Sequence, residues 1–234
     1  MHLFYVPGIT GETCTLSEEE SKHAVRVLRL ANGDAVQVID GKGGFFNAVV
    51  SDNHPKRCVL ALSGKIPAGK HPYNLHLAIG PTKNIDRMEW LVEKATEIGI
   101  DSISPVDCRY SERTVIKKER LEKIAVSAMK QSLKAWLPQV EEICPFHDFI
   151  AAHQNSGGQK FIAHCHDTPK ENLQDVYIKG SDVLILIGPE GDFSEDEVAL
   201  AVRAGFVPVS LGRSRLRTET AGLVAVMTVA LGNA

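Results

Sequence analysis

The sequence predicts an α/β protein with two domains, a small β-rich domain over residues 1–70 and a larger α/β domain over residues 71–234. Short β-branched runs around glycine turns indicate the first, and strand-like runs that alternate with helical patterns indicate the second. Between them, over residues 63–72, glycine, proline and lysine accumulate and the periodicity is lost, as is typical of a linker.

The first domain is predicted to hold one helix and a small barrel. Ser17–Glu20 fits a capping box, and the amphipathic segment that follows would place Lys22, Arg26 and Arg29 on one face of a helix. Three strand-like runs follow at residues 35–40, 45–50 and 57–62, and Asp40–Gly44 forms a turn between the first two. Strands of this length around glycine turns are typical of a small barrel.

The second domain is predicted to contain a largely parallel sheet covered by helices on both faces. Predicted strands cover residues 75–79, 103–106, 161–165, 183–187 and 207–211, and predicted helices cover residues 86–98 and 117–134, with two more beginning near Ser194 and Thr218. Strands that alternate with helices in this way form parallel sheets, because each crossover helix returns the chain to the same edge.

Composition excludes several classes of protein. Hydrophobic residues make up 44% and charged residues 24% of 234 residues, which excludes wholesale disorder, and the net charge of -3 excludes a generally basic nucleic-acid binder. No apolar run approaches the ~20 residues that span a bilayer. The five cysteines form no CxxC pair, so we expect reduced thiols, a cytoplasmic location and no membrane association.

Two strand ends carry the chemistry-bearing motifs. Val183–Ile187 stops at Gly188-Pro189-Glu190-Gly191, and ligands of open α/β sheets bind beyond such strand ends. An ordinary strand-to-helix turn is the alternative. The chain has neither G-x-G-x-x-G nor G-x-x-x-x-G-K-[ST], so no phosphate cradle for a dinucleotide or a nucleoside triphosphate is visible.

The second strand end, after residues 207–211, carries three arginines. Arg213, Arg215 and Arg217 alternate along a short loop, and like charges this close repel unless an anion such as phosphate joins them. Alternatively, Arg217 pairs with Glu219 or Glu190, and Thr218 caps the last helix.

These motifs resemble those of a known family. Ile187–Gly191, Leu211-Gly212 and Leu216–Ala221 are similar to the two C-terminal motifs of the RsmE family of SPOUT methyltransferases, which methylate N3 of a uridine in 16S ribosomal RNA. His23–Arg29 resembles the family's H-x-x-R-V-L-R segment, and Lys83–Gly99 resembles its K-x-x-x-x-E helix. The resemblance covers nearly the whole chain.

The resemblance implies a fold and a cofactor. It implies an N-terminal PUA-like RNA-binding β-barrel and a C-terminal SPOUT domain tied in a trefoil knot, although knots are rare in general. It also implies S-adenosylmethionine as cofactor and a homodimer. The residues carried over as cofactor-binding are Leu186, Ile187, Gly188, Glu190, Gly191, Leu211, Gly212, Leu216 and Thr218.

The implied chemistry is methyl transfer to a weakly acidic nitrogen. A cation that stabilises the uridine anion would promote the reaction, which suggests Arg215 or Arg217, while Ser214 stands where the family commonly has an arginine. Glu219 is a candidate base, or its carboxylate simply favours the start of a helix. The alternatives are a SPOUT enzyme acting on another RNA base and a noncatalytic RNA-binding or ribosome-assembly protein.

The implied partner is 16S rRNA, within the assembled 30S subunit. Basic residues in both domains are candidates for phosphate contacts, which would position the RNA, or else form solvated helix faces. No metal is expected, because His164-Cys165-His166 lacks further ligands at zinc spacing. The candidate RNA-binding residues are Lys22, His23, Arg26, Arg29, Arg109 and Arg113.

Overall fold

The structure, a computed structural model, describes residues 1–234, and the chain divides into two compact units. Unit 1 comprises Met1–Lys70 with Met129–Leu137, and unit 2 comprises His71–Ala128 with Pro138–Ala234. Hydrogen bonds hold the returning segment in unit 1: the Leu137 N–H donates to the Gly41 carbonyl oxygen (3.0 Å), and Trp136 Nε1 donates to that of Ala68 (3.1 Å).

Unit 1 is built on a five-stranded, mostly antiparallel sheet. Its strands are β1 (Leu3–Tyr5), β2 (Thr13–Thr15), β3 (Ala35–Ile39), β4 (Gly44–Asp52) and β5 (Val59–Pro67). The spatial order is β1-β3-β4-β5-β2, and only the β1–β3 pairing is parallel. The apolar side chains of Phe4, Val38 and Leu60 are buried in its core, and the predicted β-rich domain is confirmed.

β5, which corresponds to the third strand predicted for unit 1, is longer than the sequence predicted. β5 continues through Ser63–Pro67, a segment that the glycine and lysine content assigned to a linker. The pairing of Phe46 with Lys65 and of Gly44 with Pro67 extends the ladder, and a register shift after Phe46 accommodates the irregular residues. Backbone pairing with a neighbouring strand here overrides a composition that is poor in strand formers.

The helical segment of unit 1 changes its winding. The α-helix α1 covers only Glu18–Lys22 and is followed by a π-helical turn over His23–Val27. Ser17 caps α1 by accepting the Glu20 N–H (3.2 Å). The predicted single amphipathic face is therefore wrong in detail, because the wider π turn and the left-handed backbone of Arg29 (φ +56°) break the α-helical spacing.

Unit 2 alternates strands and helices as predicted. The strands are β6 (Leu75–Ile79), β7 (Ser102–Asp107), β8 (Gln139–Val140), β9 (Cys144–Pro145), β10 (Gln159–Ala163), β11 (Glu171–Asn172), β12 (Val183–Ile187) and β13 (Val207–Ser210). The helices are α2 (Ile85–Ile98), α3 (Lys118–Gln131, ending in unit 1), α4 (Phe146–His153), α5 (Leu173–Val176), α6 (Glu195–Arg203) and α7 (Thr218–Gly232). No helix is long and apolar enough to cross a bilayer.

All strand pairings in unit 2 are parallel. The order is β11-β13-β10-β12-β6-β7-β8, and β9 also pairs with β7. On β6, Leu77 faces Gly222 of α7, whereas Ala78 belongs to a core cluster with residues of α4 and α6. Neighbouring strand residues point to opposite faces, so helices cover both faces and the predicted α/β class is confirmed. The knot stays a prediction.

Candidate functional site

Four neighbouring strands of unit 2 end at one edge of the sheet. In the parallel register, Ile79 of β6 lies opposite Ile187 of β12, Ile187 lies opposite Ala163 of β10, and Ala163 lies opposite Val209 of β13. The loops that follow therefore leave the sheet side by side. This edge contains the carboxyl ends of the strands, where open α/β sheets bind ligands.

A cavity of 560 Å³ opens at this edge. Its wall includes three cationic side chains, those of Lys170, Arg213 and Arg215, and no carboxylate. The volume is typical of small-molecule sites, and the cationic wall favours a ligand that carries or develops negative charge. The lining residues are Ala163, His164, Cys165, Lys170, Val209, Ser210, Leu211, Gly212, Arg213, Ser214, Arg215, Leu216 and Ala221.

Of the nine residues expected to bind a cofactor, Leu211, Gly212 and Leu216 line this cavity. Gly212 has φ +116°, a conformation that side chains rarely adopt, and a Cβ added there would meet no atom within 4 Å. The glycine is therefore required by its backbone conformation, and it leaves open space beside the peptide groups of the loop.

The turn at Gly188–Gly191 lies at the same edge but does not line the cavity. Leu186 and Ile187 are buried in β12. A Cβ at Gly80 would lie 2.5 Å from the Pro189 nitrogen, so only glycine allows the turn to approach the end of β6 this closely. The Glu190 carboxylate accepts the N–H of Lys83 (2.9 Å).

Asp192 connects this turn to the cavity wall. Its Oδ2 accepts the N–H of Cys165 (2.7 Å), and its Oδ1 accepts the N–H of Phe193 (2.9 Å). In addition, His166 Nε2 lies 2.8 Å from the Phe193 carbonyl oxygen. Because Cys165 lines the cavity, the turn after β12 supports the cavity through the loop after β10.

The remaining predicted site residues, Arg217, Thr218 and Glu219, lie at the start of α7 in different surroundings. Arg217 is exposed and precedes the helix, where its side chain makes no capping hydrogen bond, and Thr218 is the buried first helical residue. Glu219 is buried, and its Oε1 lies 3.7 Å from Arg87 Nε while its Oε2 has no partner. Arg217 thus pairs with neither Glu219 nor Glu190.

His164 lines the cavity, although the sequence pointed to it only as a possible metal ligand. Its side chain is 8% exposed, and neither ring nitrogen has a hydrogen-bond partner. Burial, followed by the electrostatic effects of Lys170 and His166, lowers the pKa of His164 to about 4, against a smaller opposing effect of Asp192. The imidazole is therefore neutral near pH 7, with a donor and an acceptor available to a ligand.

The His164–His166 segment lies beyond β10 rather than on it, because the strand ends at Ala163. The two imidazole rings are 4.9 Å apart. No group of three or more potential metal-ligating side chains occurs in the chain. The position of this segment identifies it as part of the site, because it follows β10, the strand that lies between β12 and β13 in the sheet.

The candidate RNA-binding residues of unit 1 surround the π-helical turn. His23, Arg26 and Arg29 are exposed, and Lys22 pairs with Glu18 (2.7 Å) one turn earlier in α1. Arg29 has the left-handed backbone noted above, and the Leu30 N–H donates to the Ala24 carbonyl oxygen (3.0 Å) across the turn. The structure thus brings these residues together on one exposed segment.

The two candidate RNA-binding arginines of unit 2 have different surroundings. Arg109 lines a second cavity of 820 Å³, and its guanidinium lies 5.9 Å from the centre of the Tyr110 ring. The guanidinium of Arg113 donates instead to backbone, from Nε to the carbonyl oxygens of Thr82 (3.1 Å) and Lys83 (3.2 Å) and from Nη2 to that of Lys83 (2.6 Å).

Comparison with known proteins gives the family. Residues 69–230 match the model of an RNA methyltransferase domain, and residues 16–63 match that of an RNA methyltransferase PUA domain. The ribosomal RNA small subunit methyltransferase E of Synechocystis is 31% identical over 93% of this chain and 72% of its own length. This chain belongs to the ribosomal RNA small subunit methyltransferase E family. The resemblance found in the sequence is confirmed.

Solved structures agree with this membership. A probable rRNA-methyltransferase from Porphyromonas gingivalis is 45% identical, with a TM-score of 0.90 over 97% of this chain and 96% of that one. A ribosomal RNA small subunit methyltransferase E from Neisseria gonorrhoeae, bound to S-adenosyl methionine, is 28% identical, with a TM-score of 0.83 over 97% of this chain and 95% of that one. The chain is thus an RNA methyltransferase by family and by fold.

Proposed function

We propose that this protein transfers a methyl group from S-adenosylmethionine to N3 of a uridine in 16S rRNA, as a homodimer in the cytoplasm acting on the assembled 30S subunit. The observation that carries the proposal is the cavity between the loops after β10 and β13, with its apolar, glycine and arginine wall. The relative from Neisseria gonorrhoeae, with the same fold, binds S-adenosyl methionine.

The cavity has the features that a nucleoside cofactor without phosphates requires. Leu211 and Leu216 offer apolar surface, and Gly212 leaves peptide groups accessible to polar atoms of a ligand. The buried imidazole of His164 has both nitrogens unpartnered, and such a group is stabilised when a ligand completes its hydrogen bonds. When bound, S-adenosylmethionine supplies an electrophilic methyl group. The same proposal assigns support of the cofactor to Leu186, Ile187, Gly188, Glu190, Gly191 and Thr218.

The protein's part in the reaction is to stabilise the nucleophile. Uracil N3 becomes a good nucleophile only after its proton, whose pKa lies above neutrality, passes to solvent water. Arg215 lines the cavity and Arg217 lies two residues further along, and neither guanidinium has an anionic partner within the chain. A guanidinium beside the base stabilises the anion as it forms. Glu219 faces Arg87 instead of the cavity, which favours its role in anchoring α7 over a role as base.

Two exposed surfaces support the RNA part of the proposal. In unit 1, His23 and Arg26 lie on the π-helical turn and Arg29 follows it, and in unit 2 Arg109 lies beside Tyr110. Cationic side chains next to an aromatic ring are suited to phosphate contacts and base stacking. We expect charge-removing substitutions there to weaken RNA binding without changing the affinity for the cofactor.

The homodimer is supported by the apolar character of α7. Apolar residues are distributed around all sides of this helix, and its contacts with α2, α5, β6 and β12 leave part of its apolar surface uncovered. Met227 and Leu231 remain exposed, Leu231 by 67%. A helix that is hydrophobic all round is normally buried all round. Light scattering should therefore give twice the chain mass, and Leu231→Glu should give the monomer mass.

Nucleoside mass spectrometry tests the proposed reaction. Unmodified 30S subunits are incubated with the protein and S-adenosylmethionine, and the 16S rRNA is then digested to nucleosides. We expect 3-methyluridine to form, and Arg215→Gln and Arg217→Gln to reduce its rate, while Arg57→Gln, on an exposed turn of unit 1, serves as the control. A different methylated nucleoside would reject the choice of base. No methylation at all would favour a noncatalytic role in ribosome assembly.

A further inference from the structure

Arg113 makes contacts that an RNA-binding residue does not need. Its guanidinium donates to the carbonyl oxygens of both Thr82 and Lys83, and so fixes the segment that connects β6 to α2. A planar guanidinium holds its Nε and Nη2 donors at two fixed positions in one plane, whereas the single nitrogen of a lysine ammonium cannot occupy both positions. Arg113 is therefore directed at the protein's own backbone.

The segment fixed by Arg113 in turn holds the turn after β12. The N–H of Lys83, whose carbonyl oxygen accepts from Arg113, donates to Glu190 Oε1 (2.9 Å). A hydrogen bond to a carboxylate is stronger than one between neutral groups. The Lys83 side chain pairs with Glu112 (2.6 Å), but both are largely exposed and such pairs contribute little.

Close packing places the same turn between two neighbours. The Gly80 N–H donates to the Ile187 carbonyl oxygen (2.8 Å) on one side of the turn. On the other side, a Cβ at Gly191 would lie 2.7 Å from Cβ of Tyr110, three residues before Arg113. The turn is thus held from β6 and from the loop after β7. Asp192, which follows the turn, accepts the N–H of Cys165 and so fixes this residue in the cavity wall.

We propose that Arg113 and Glu190 are positioning residues that together hold the turn at Gly188–Gly191 against the 82–83 segment, and so keep the cavity wall in its ligand-binding shape. This inference rests on the proposed function for its effect on S-adenosylmethionine. It removes Arg113 from the RNA-binding residues, and it makes the Glu190 carboxylate an acceptor for a backbone N–H instead of a contact to the cofactor.

Four variants test the proposal by calorimetry with S-adenosylmethionine. Arg113→Lys keeps the charge but loses the fork, and Glu190→Ala loses the acceptor, so each should raise the Kd about tenfold, which corresponds to ~1.4 kcal/mol. Glu190→Gln keeps an oxygen acceptor but loses the charge, so its Kd should lie between those of the wild type and Glu190→Ala. Arg57→Lys, which makes the same chemical change on an exposed turn of unit 1, is the control.

Hydrogen exchange of the Lys83 amide gives a second readout that needs no cofactor. Arg113→Lys and Glu190→Ala should both accelerate this exchange, Glu190→Gln should accelerate it less than Glu190→Ala does, and Arg57→Lys should leave it unchanged. Unchanged exchange and unchanged Kd in Arg113→Lys would overturn the proposal, as would weaker RNA binding as its sole defect. A Glu190→Gln variant as defective as Glu190→Ala in both measurements would contradict the role of Glu190 as a hydrogen-bond acceptor. If the wild type bound no S-adenosylmethionine, the proposed function would fail, and the exchange rates would still decide about the positioning residues.

Discussion

Lys160 is a buried lysine whose removal should destabilise unit 2 strongly. Its side chain is 9% exposed, and its ammonium donates to the carbonyl oxygens of His153 (3.2 Å), Gln154 (2.7 Å) and Ala204 (2.7 Å). These carbonyls end α4 and α6, whose last carbonyl groups have no partner within the helix and carry partial negative charge. One ammonium group thus joins the ends of two helices, and the His153 carbonyl oxygen also accepts from the N–H (3.2 Å) and the Oγ (2.8 Å) of Ser156.

Lys160→Met keeps the aliphatic chain and removes all three hydrogen bonds. Each bond contributes about 1 kcal/mol net, so we expect the free energy of unfolding to fall by about 3 kcal/mol. Methionine does not carry the free-energy cost of burying a charge, and this gain keeps the net loss from exceeding about 3 kcal/mol. For a domain of this size the midpoint of thermal unfolding should fall by roughly 6–12 °C.

Urea denaturation followed by fluorescence measures this loss. Lys179→Met, at an exposed position without a side-chain partner, is the matched control and should change the free energy of unfolding by less than about 0.5 kcal/mol. If Lys160→Met were as stable as the control, the three carbonyl groups would not depend on the ammonium, and the reasoning about the two helix ends would be refuted.

Three further predictions concern charge and backbone conformation. Burial, with a smaller effect of His153, lowers the pKa of His76 to about 4, so stability should be lost as the pH falls from about 6.5 to about 4. His76→Phe should make the stability-against-pH curve shallower in this range, and His164, whose pKa is also about 4, should account for part of the slope that remains. Glu197 accepts the N–H groups of Arg109 and Ser194 (2.8 Å each), so Glu197→Ala should cost about 2–3 kcal/mol in denaturant unfolding, and Glu197→Gln should recover part of it. Arg29→Gly removes the strain of a left-handed backbone, so it should raise the free energy of unfolding by up to about 1 kcal/mol. The same variant should lower the affinity for RNA in a filter-binding assay. A loss of stability would contradict the argument from strain.

The fold class could be predicted because periodicity and turn chemistry agree along most of unit 2. The capping box at Ser194 and Glu197 is present in full and starts α6 where the sequence indicates. The failures are local. Ser63–Pro67 joins a strand because its backbone finds a partner in β4, and His23–Val27 winds as a π turn, and neither outcome is encoded in composition.

The candidate site was predicted from two loops, and the structure adds a third. Leu211–Leu216 and Ala163–Cys165 line the cavity, whereas the turn at Gly188–Gly191 does not line it and is connected to it through the hydrogen bond between Asp192 and Cys165. Sequence order hides this arrangement, because β10 precedes β12 in the chain yet lies between β12 and β13 in the sheet. The partners of Arg113 and Glu219 likewise lie on distant segments that only the tertiary structure brings together.

Calorimetric titration of S-adenosylmethionine into the wild type and into Gly212→Val tests whether the cofactor binds in the cavity beside the loop after β13. A valine at φ +116° is strained and places a side chain in the open space beside the loop after β13. We expect one bound molecule per chain in the wild type and at least a tenfold weaker affinity in a folded Gly212→Val protein. Absence of binding heat and of thermal stabilisation in the wild type, or equal affinity in the variant, would contradict it.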